Sequence, residues 1–220
     1  MILTRTSWFL IQDMFAGGSD TSTNTIEWAL AELVRNPHIM KKLEDELDNA
    51  VGKERLVQES DLPQLPYLTA TVKETLRLHP AAPLLAPHES SIPCNIAGYY
   101  IPAKTRAIVN VWTIGRDPAA WENPLEFRPQ RFVESNIDAR GQHFHFLPFG
   151  SGRRGCPGFS LGLQSVQFML ASLVQAFHWS FPDPNKEIDM SEKFGLTVTM
   201  ANPLLLMAKP KLPSHLFGLA

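Results

Sequence analysis

A mainly α fold with small β-sheets is the class this sequence predicts, and three observations carry it. Two long stretches, residues 8–34 and 159–177, are apolar at helical spacing, and two shorter ones, 38–51 and 67–78, are amphipathic. The extended stretches are short and lie around Gly98 and Pro102 and again near the C-terminus. Eighteen prolines, most of them between Pro63 and Pro157, fill the middle with turns. Residues 1–220 read as part of a single domain, with no internal repeat, low-complexity tract or clean linker.

The first helix, 8–34, has an apolar face supplied by Phe15, Ile26, Ala29, Leu30, Leu33 and Val34. Its start is apolar but interrupted by Arg5, Gln12 and Asp13, so it is too short and too polar to span a bilayer. It also lacks the layout of a signal peptide. Its middle reads Ala16-Gly17-Gly18-Ser19-Asp20-Thr21-Ser22-Thr23-Asn24-Thr25. Adjacent glycines cost a helix about 1 kcal/mol each relative to Ala. A run of hydroxyls competes for the backbone hydrogen bonds. A local rule broken with no structural gain points to function.

Asn36-Pro37 ends this helix and opens the charged helix 38–51. A loop comes next, with Ser60-Asp61-Leu62-Pro63 as a cap, and helix 67–78 is stopped by His79-Pro80. Short strands are expected within 92–111, mostly loop over 115–155, and then the strongly apolar helix 159–177. The tail, 196–207, reads as a hairpin turning at Asn202-Pro203.

Composition narrows the function. Hydrophobic residues make up 44% and charged residues 19%, enough apolar material for a sizeable core. The net charge is −2 and Lys and Arg are scattered, so no basic surface for nucleic acid is indicated. Two cysteines, Cys94 and Cys156, allow one disulfide at most, and free thiols in a reducing compartment are the expectation.

The sharpest signal is Phe149-Gly150-Ser151-Gly152-Arg153-Arg154-Gly155-Cys156-Pro157-Gly158, directly before a helix. Glycines let the backbone take positive φ and let something bulky come close. A cysteine at a helix N-terminus beside two arginines favours the thiolate, which is a nucleophile or a metal ligand. Alone, Cys156 would read as a buried structural cysteine. A thiol hydrolase with His143 or His145 as base is another option, but it leaves the odd middle of the first helix unexplained.

The spacing Phe-x-x-Gly-x-Arg-x-Cys-x-Gly, met at Phe149, Gly152, Arg154, Cys156 and Gly158, resembles the haem-binding signature of the cytochrome P450 family. The resemblance covers nearly the whole chain. It implies a b-type haem with Cys156 as axial thiolate, Phe149 packed near the sulfur, Gly150 and Gly158 in the cradle, and Arg154 paired with a propionate. Thiolate ligation pushes electron density onto iron and favours O–O cleavage. A second motif of the family is complete at Gly17-Gly18-Ser19-Asp20-Thr21-Ser22. Gly17 and Gly18 would make room for dioxygen, Thr21 would steady it, and Asp20 would help deliver protons through water.

The same resemblance groups Glu74 and Arg77, three apart on a helix, with Arg131 in a buried structural network. Two departures stand out. Gln130 replaces the Glu usual before Arg131, weakening one charge contact, and His88 stands where plant members often carry a propionate-binding Arg. The pocket would be lined by Asp13, Ala16 and Gly17, by Ala82, Leu84 and Leu85, and by Leu196 and Thr197. These are mainly apolar or small, suiting a lipophilic substrate.

By resemblance to plant microsomal members, the expected activity is insertion of one oxygen atom into a phenolic, flavonoid or terpenoid metabolite. Electrons would come from an NADPH-dependent flavoprotein reductase, with no nucleic-acid partner. Full-length members are more than twice this long, so the chain reads as the C-terminal half of the fold, truncated at the N-terminus. The missing half would carry the endoplasmic-reticulum anchor. The alternative is a truncated haem-binding fragment without catalysis.

Overall fold

The computed structural model describes residues 5–183 and 187–218, with side chains from residue 8 onward. Helix α1 (Arg5–Arg35) runs through its glycine-rich middle unbroken. Its hydroxyls bond back one turn: Thr21 Oγ1 donates to Gly17 O at 2.7 Å, Thr23 Oγ1 to Ser19 O at 3.0 Å and Thr25 Oγ1 to Thr21 O at 2.8 Å. The competing side chains thereby stay within the helix ladder.

Phe15 departs from the expected buried face. It is 72% exposed, and residues 8–20 are exposed on every side. The packing partners of α1 reach only its C-terminal half, where Trp28, Ala29, Ala31 and Leu33 are buried.

Helix α2 (Pro37–Ala50) starts on a proline, whose missing N–H is no loss at the first helical position. It buries Ile39, Leu43 and Leu47, which the spacing of four places on one stripe. A 3₁₀ turn (Glu59–Gln64) is capped by Asp61, which accepts from Gln58 N at 2.8 Å and from both Arg55 terminal nitrogens at 2.7 and 2.8 Å. The Arg55 guanidinium holds this carboxyl below the usual carboxylate range. Helix α3 (Pro66–Leu78) is capped from outside: the Glu46 carboxylate of α2 accepts from Tyr67 N at 2.6 Å and Leu68 N at 2.8 Å.

Among the described residues, four two-stranded antiparallel sheets lie around the helices. β1 (His88–Glu89) pairs with β4 (Arg106–Ala107), and β2 (Cys94–Ile96) with β3 (Tyr99–Ile101). The β2–β3 turn is Ala97-Gly98, both at positive φ, as a two-residue hairpin demands. Two single-turn helices come next, α4 (Val111–Ile114) and α5 (Gln130–Val133). Helix α6 (Phe159–Ala176) is the central rod, burying Val166, Leu170, Ala171 and Val174 against Leu33, Leu43 and Leu68 of the other long helices. It stops one residue earlier than its apolar pattern, because Phe177 opens β5 (Phe177–Ser180).

The C-terminal hairpin is displaced from its expected place. β6 (Glu192–Lys193) and β7 (Thr199–Met200) form it, with residues 194–198 as the loop. Beyond Asn202-Pro203, β8 (Met207–Pro210) pairs instead with β5. Apolar alternation marks the strands but says nothing about which partner offers the free edge.

Gln175, with no exposed surface, joins α6 to the loop after α2. It accepts from Val57 N at 2.8 Å and donates to Gly52 O and Arg55 O at 3.0 Å each. Gln175→Leu keeps the volume but strands these backbone groups. Urea unfolding should show a loss of about 3 kcal/mol. A loss under about 0.5 kcal/mol would mean that water replaces the side chain.

Candidate functional site

Glu74 and Arg77 of α3 are both fully buried and paired along two parallel contacts, Arg77 Nε to Oε2 at 2.7 Å and Nη2 to Oε1 at 2.8 Å. Glu74 Oε1 also accepts from Arg128 N at 2.7 Å and from Arg131 Nε at 3.0 Å. The rest of the Arg77 fork donates to Gly115 O at 2.5 Å, Pro124 O at 2.7 Å and Glu126 O at 3.0 Å. Trp121 lies under both guanidinium groups, 5.3 Å from that of Arg77 and 5.9 Å from that of Arg131. The three residues the sequence grouped are therefore in one cluster.

The loop 149–158 is held from both sides. Gly150 and Gly152 take φ of +72° and +67°. Ser151 Oγ donates to Gly141 O at 2.7 Å, and a Cβ on Gly141 (φ +79°) would fall 2.6 Å from Gly150 O. Cys156 N donates to Phe149 O at 2.9 Å, closing the loop. Phe149 meets Phe159 edge-on at 5.2 Å between ring centres. The Cys156 thiol is exposed, and a Cβ on Gly158 would sit 3.8 Å from its sulfur. Arg154, in the 3₁₀ turn Gly152–Arg154, is exposed and has no side-chain partner among the described residues. Leu85, expected from the sequence to line a pocket, reaches this loop: its Cδ1 lies 3.7 Å from where a Gly150 Cβ would be.

On α1, Gly17 and Gly18 have no described atom within 4 Å of an added Cβ, so that flank is open. Asp13, Ala16 and Asp20 are exposed, and Thr21 is half-buried. Ala82, Leu84 and Leu85 are half-buried, Leu196 is 88% exposed and Thr197 half-buried.

The family description Cytochrome P450 matches residues 9–207. The chain belongs to the cytochrome P450 family. It is 54% identical over 205 residues to cytochrome P450 93A2 of Glycine max, covering 92% of this chain and 41% of that protein. It is 53% identical, over 92% of this chain and 40% of the relative, to 3,9-dihydroxypterocarpan 6A-monooxygenase of Glycine max. A zebra fish cytochrome P450 solved with abiraterone superimposes at a TM-score of 0.82 and 32% identity, covering 91% of this chain and 46% of that one. The chain thus spans about two-fifths of the length of the curated relatives it matches. It is of the plant type, and its helices and small sheets are those of the C-terminal portion of the cytochrome P450 fold. No described helix is long and apolar enough to cross a membrane.

The geometry revises one of the two departures from the P450 pattern. Gln130 does not touch the buried cluster; its Nε2 donates to Glu134 Oε1 at 2.9 Å, away from Arg131. The expected weakening of a charge contact at this position therefore does not arise. His88 is exposed on β1 opposite Ala107 and has no side-chain partner among the described residues. Neither His143 nor His145 bonds Cys156: His145 packs edge-on to Trp121 at 5.3 Å, and burial pushes its pKa down.

Sequence reasoning missed a second buried cluster. His79, directly after α3, stacks on Trp28 at 4.2 Å with the rings parallel, and its Nε2 lies 2.8 Å from Glu32 Oε1. The available signal was Glu32, a carboxylate inside an apolar helical stripe.

Glu74→Gln should cost about 3–5 kcal/mol, since it leaves the Arg77 charge buried without its counter-ion. Gln130→Glu should change stability by less than about 0.5 kcal/mol. Paired denaturant titrations of the two variants check both, and a large effect of Gln130→Glu would contradict the outward placement of that side chain.

Proposed function

We propose that residues 1–220 are part of a single haem-thiolate monooxygenase domain, which inserts one oxygen atom from dioxygen into a lipophilic plant metabolite. The observation that carries this reading is the exposed Cys156 thiol in a glycine-rich loop of family spacing. The residues present fit a b-type haem. A soft sulfur donor is open to one side, Gly158 leaves that sulfur uncrowded, and Gly17 and Gly18 leave an open flank on α1. Arg154 and His88 are exposed and without described side-chain partners, available to acidic groups at the haem edge. The haem, when bound, supplies the oxygen activation.

The chain's own residues do the rest. Cys156 would ligate the iron, and Phe149, braced by Phe159, would pack on the sulfur side of the loop. Gly150, at positive φ, keeps the backbone close without a side chain in the way. Thr21 donates its single hydroxyl proton to Gly17 O, so its oxygen lone pairs face outward as acceptors. A water held there could pass on a proton that Asp20, exposed on the adjacent position, first takes up from solvent. Ala82, Leu84, Leu85, Leu196 and Thr197, with Asp13 and Ala16, line the substrate side.

The relatives' names support a phenolic class of substrate: they include a pterocarpan monooxygenase and a flavonoid 3'-monooxygenase of Arabidopsis thaliana that is 48% identical over 217 residues, 96% of this chain and 42% of that protein. Electrons come from an NADPH-dependent flavoprotein reductase at the cytoplasmic face of the endoplasmic reticulum.

The reduced, carbon monoxide-treated protein should show a thiolate-type Soret band, and Cys156→His should remove it. A histidine-type band in the parent would refute the ligand assignment. A thiolate band without product from any phenolic substrate points to haem binding without turnover. Thr21→Ala should keep the band and divert at least half of the oxygen consumed away from product, and full coupling in that variant would refute the role of Thr21.

A further inference from the structure

The β6–β7 loop, residues 194–198, projects Leu196 into the open, yet the chain on either side of it is fastened. Val198 is the anchor. Its N–H donates to Ala81 O at 3.0 Å, its carbonyl accepts from Trp28 Nε1 at 3.3 Å, and its side chain is buried beside Trp28 and Ala31. Glu192, at the other end of the hairpin, accepts from Trp112 Nε1 at 3.1 Å and lies 3.6 Å from Arg116 Nη2. Arg116 itself lies over the Trp112 ring at 3.9 Å. Burial pushes the Arg116 guanidinium down to about 10, with Glu192 opposing, so it remains a cation facing the Glu192 carboxylate at neutral pH.

His79 joins the two anchors. Its ring lies flat on Trp28, its Nε2 is fixed by the buried Glu32, and its Nδ1 lies 4.0 Å from Glu192 Oε1. Trp28 is seven residues after Thr21 on α1, which is nearly two full turns, so both lie on one face about 10 Å apart. The fastening therefore references the loop to the same helix face that carries Thr21.

We infer that Trp28, His79 and Glu192 are positioning residues that set where Leu196 and Thr197 stand over the substrate, and so help to choose which carbon is presented for oxidation. This rests on the proposed substrate-facing role of Leu196 and Thr197. None of the three touches substrate; each acts through the loop.

The test uses the haem-loaded full-length protein that contains this chain, with Trp28→Phe and Glu192→Gln. Trp28→Phe keeps an aromatic ring against His79 but loses the bond to Val198 O. Glu192→Gln is at a more exposed site, and it decides the matter alone if Trp28→Phe does not fold. Amide hydrogen exchange over residues 194–198 should speed up about fivefold in either variant. KM or the ratio of products should shift several-fold while kcat for total oxidation and the thiolate band stay as in the parent. Unchanged exchange overturns the latch. Faster exchange with unchanged KM and product ratio overturns its role in selectivity. A parent without a thiolate band refutes the monooxygenase reading instead, and the exchange rates still judge the latch.

Discussion

Glu74 is a carboxylate with no exposed surface, and the centre of the chain is arranged around that fact. Leaving such a charge unpaired would cost several kcal/mol, so its surroundings must supply both counter-charge and donors. Four N–H contacts do so, two from Arg77 and one each from Arg131 and the Arg128 backbone. Arg77 then has three donors left, and these collect the carbonyls of Gly115, Pro124 and Glu126. One buried ion pair thereby organises a stretch of chain that has almost no regular structure of its own. The pair is worth more as an organiser than as a source of net stability, because desolvation offsets much of the attraction.

That stretch leads directly into the cysteine loop. Trp121, beneath the two guanidinium groups, packs on Phe132 and Phe146, and Phe146 is buried just before the loop begins. Gly141 then lets the chain pass so close to Gly150 and Ser151 that any side chain would collide. The buried cluster and its aromatic neighbours thus lie directly before the cysteine loop, which is itself closed by the Gly141–Ser151 and Cys156–Phe149 contacts. Helix α6 holds the loop from the other side, since its first residue, Phe159, braces Phe149 and its later turns are locked into the main core.

The other half of the site is organised differently. The exposed part of α1 gains its order from the buried part of the same helix, because a continuous helix transmits orientation along its axis. The back-bonded hydroxyls of Thr21, Thr23 and Thr25 keep that continuity across two glycines that would otherwise favour a break. Trp28 and His79 then tie the C-terminal hairpin to this helix rather than to the other strands.

Helix positions, the Asn36-Pro37 boundary and the motifs around Thr21, Glu74 and Cys156 were legible in the sequence, because each rests on residues within a turn or two of one another. Gly, Pro and capping residues act through their own φ and N–H, so a local reading captures them. What only the tertiary structure decided lies at long separation. The hairpin near the C-terminus took Glu192 and Lys193 as partners, not the strand after Pro203, since pairing depends on which edge is free in space. The exposure of Phe15, the outward turn of Gln130, the Glu46 cap on α3 and the Trp28–His79–Glu32 cluster have the same origin. Periodicity states that a residue belongs to a face, but only packing decides what, if anything, covers that face. The sequence by itself determined the family, the mainly helical class and the identity of the cysteine loop. The tertiary structure decided how the buried charge of Glu74 gathers the chain from Gly115 to Arg131, because ion pairing and close packing act through space and leave no trace in local spacing.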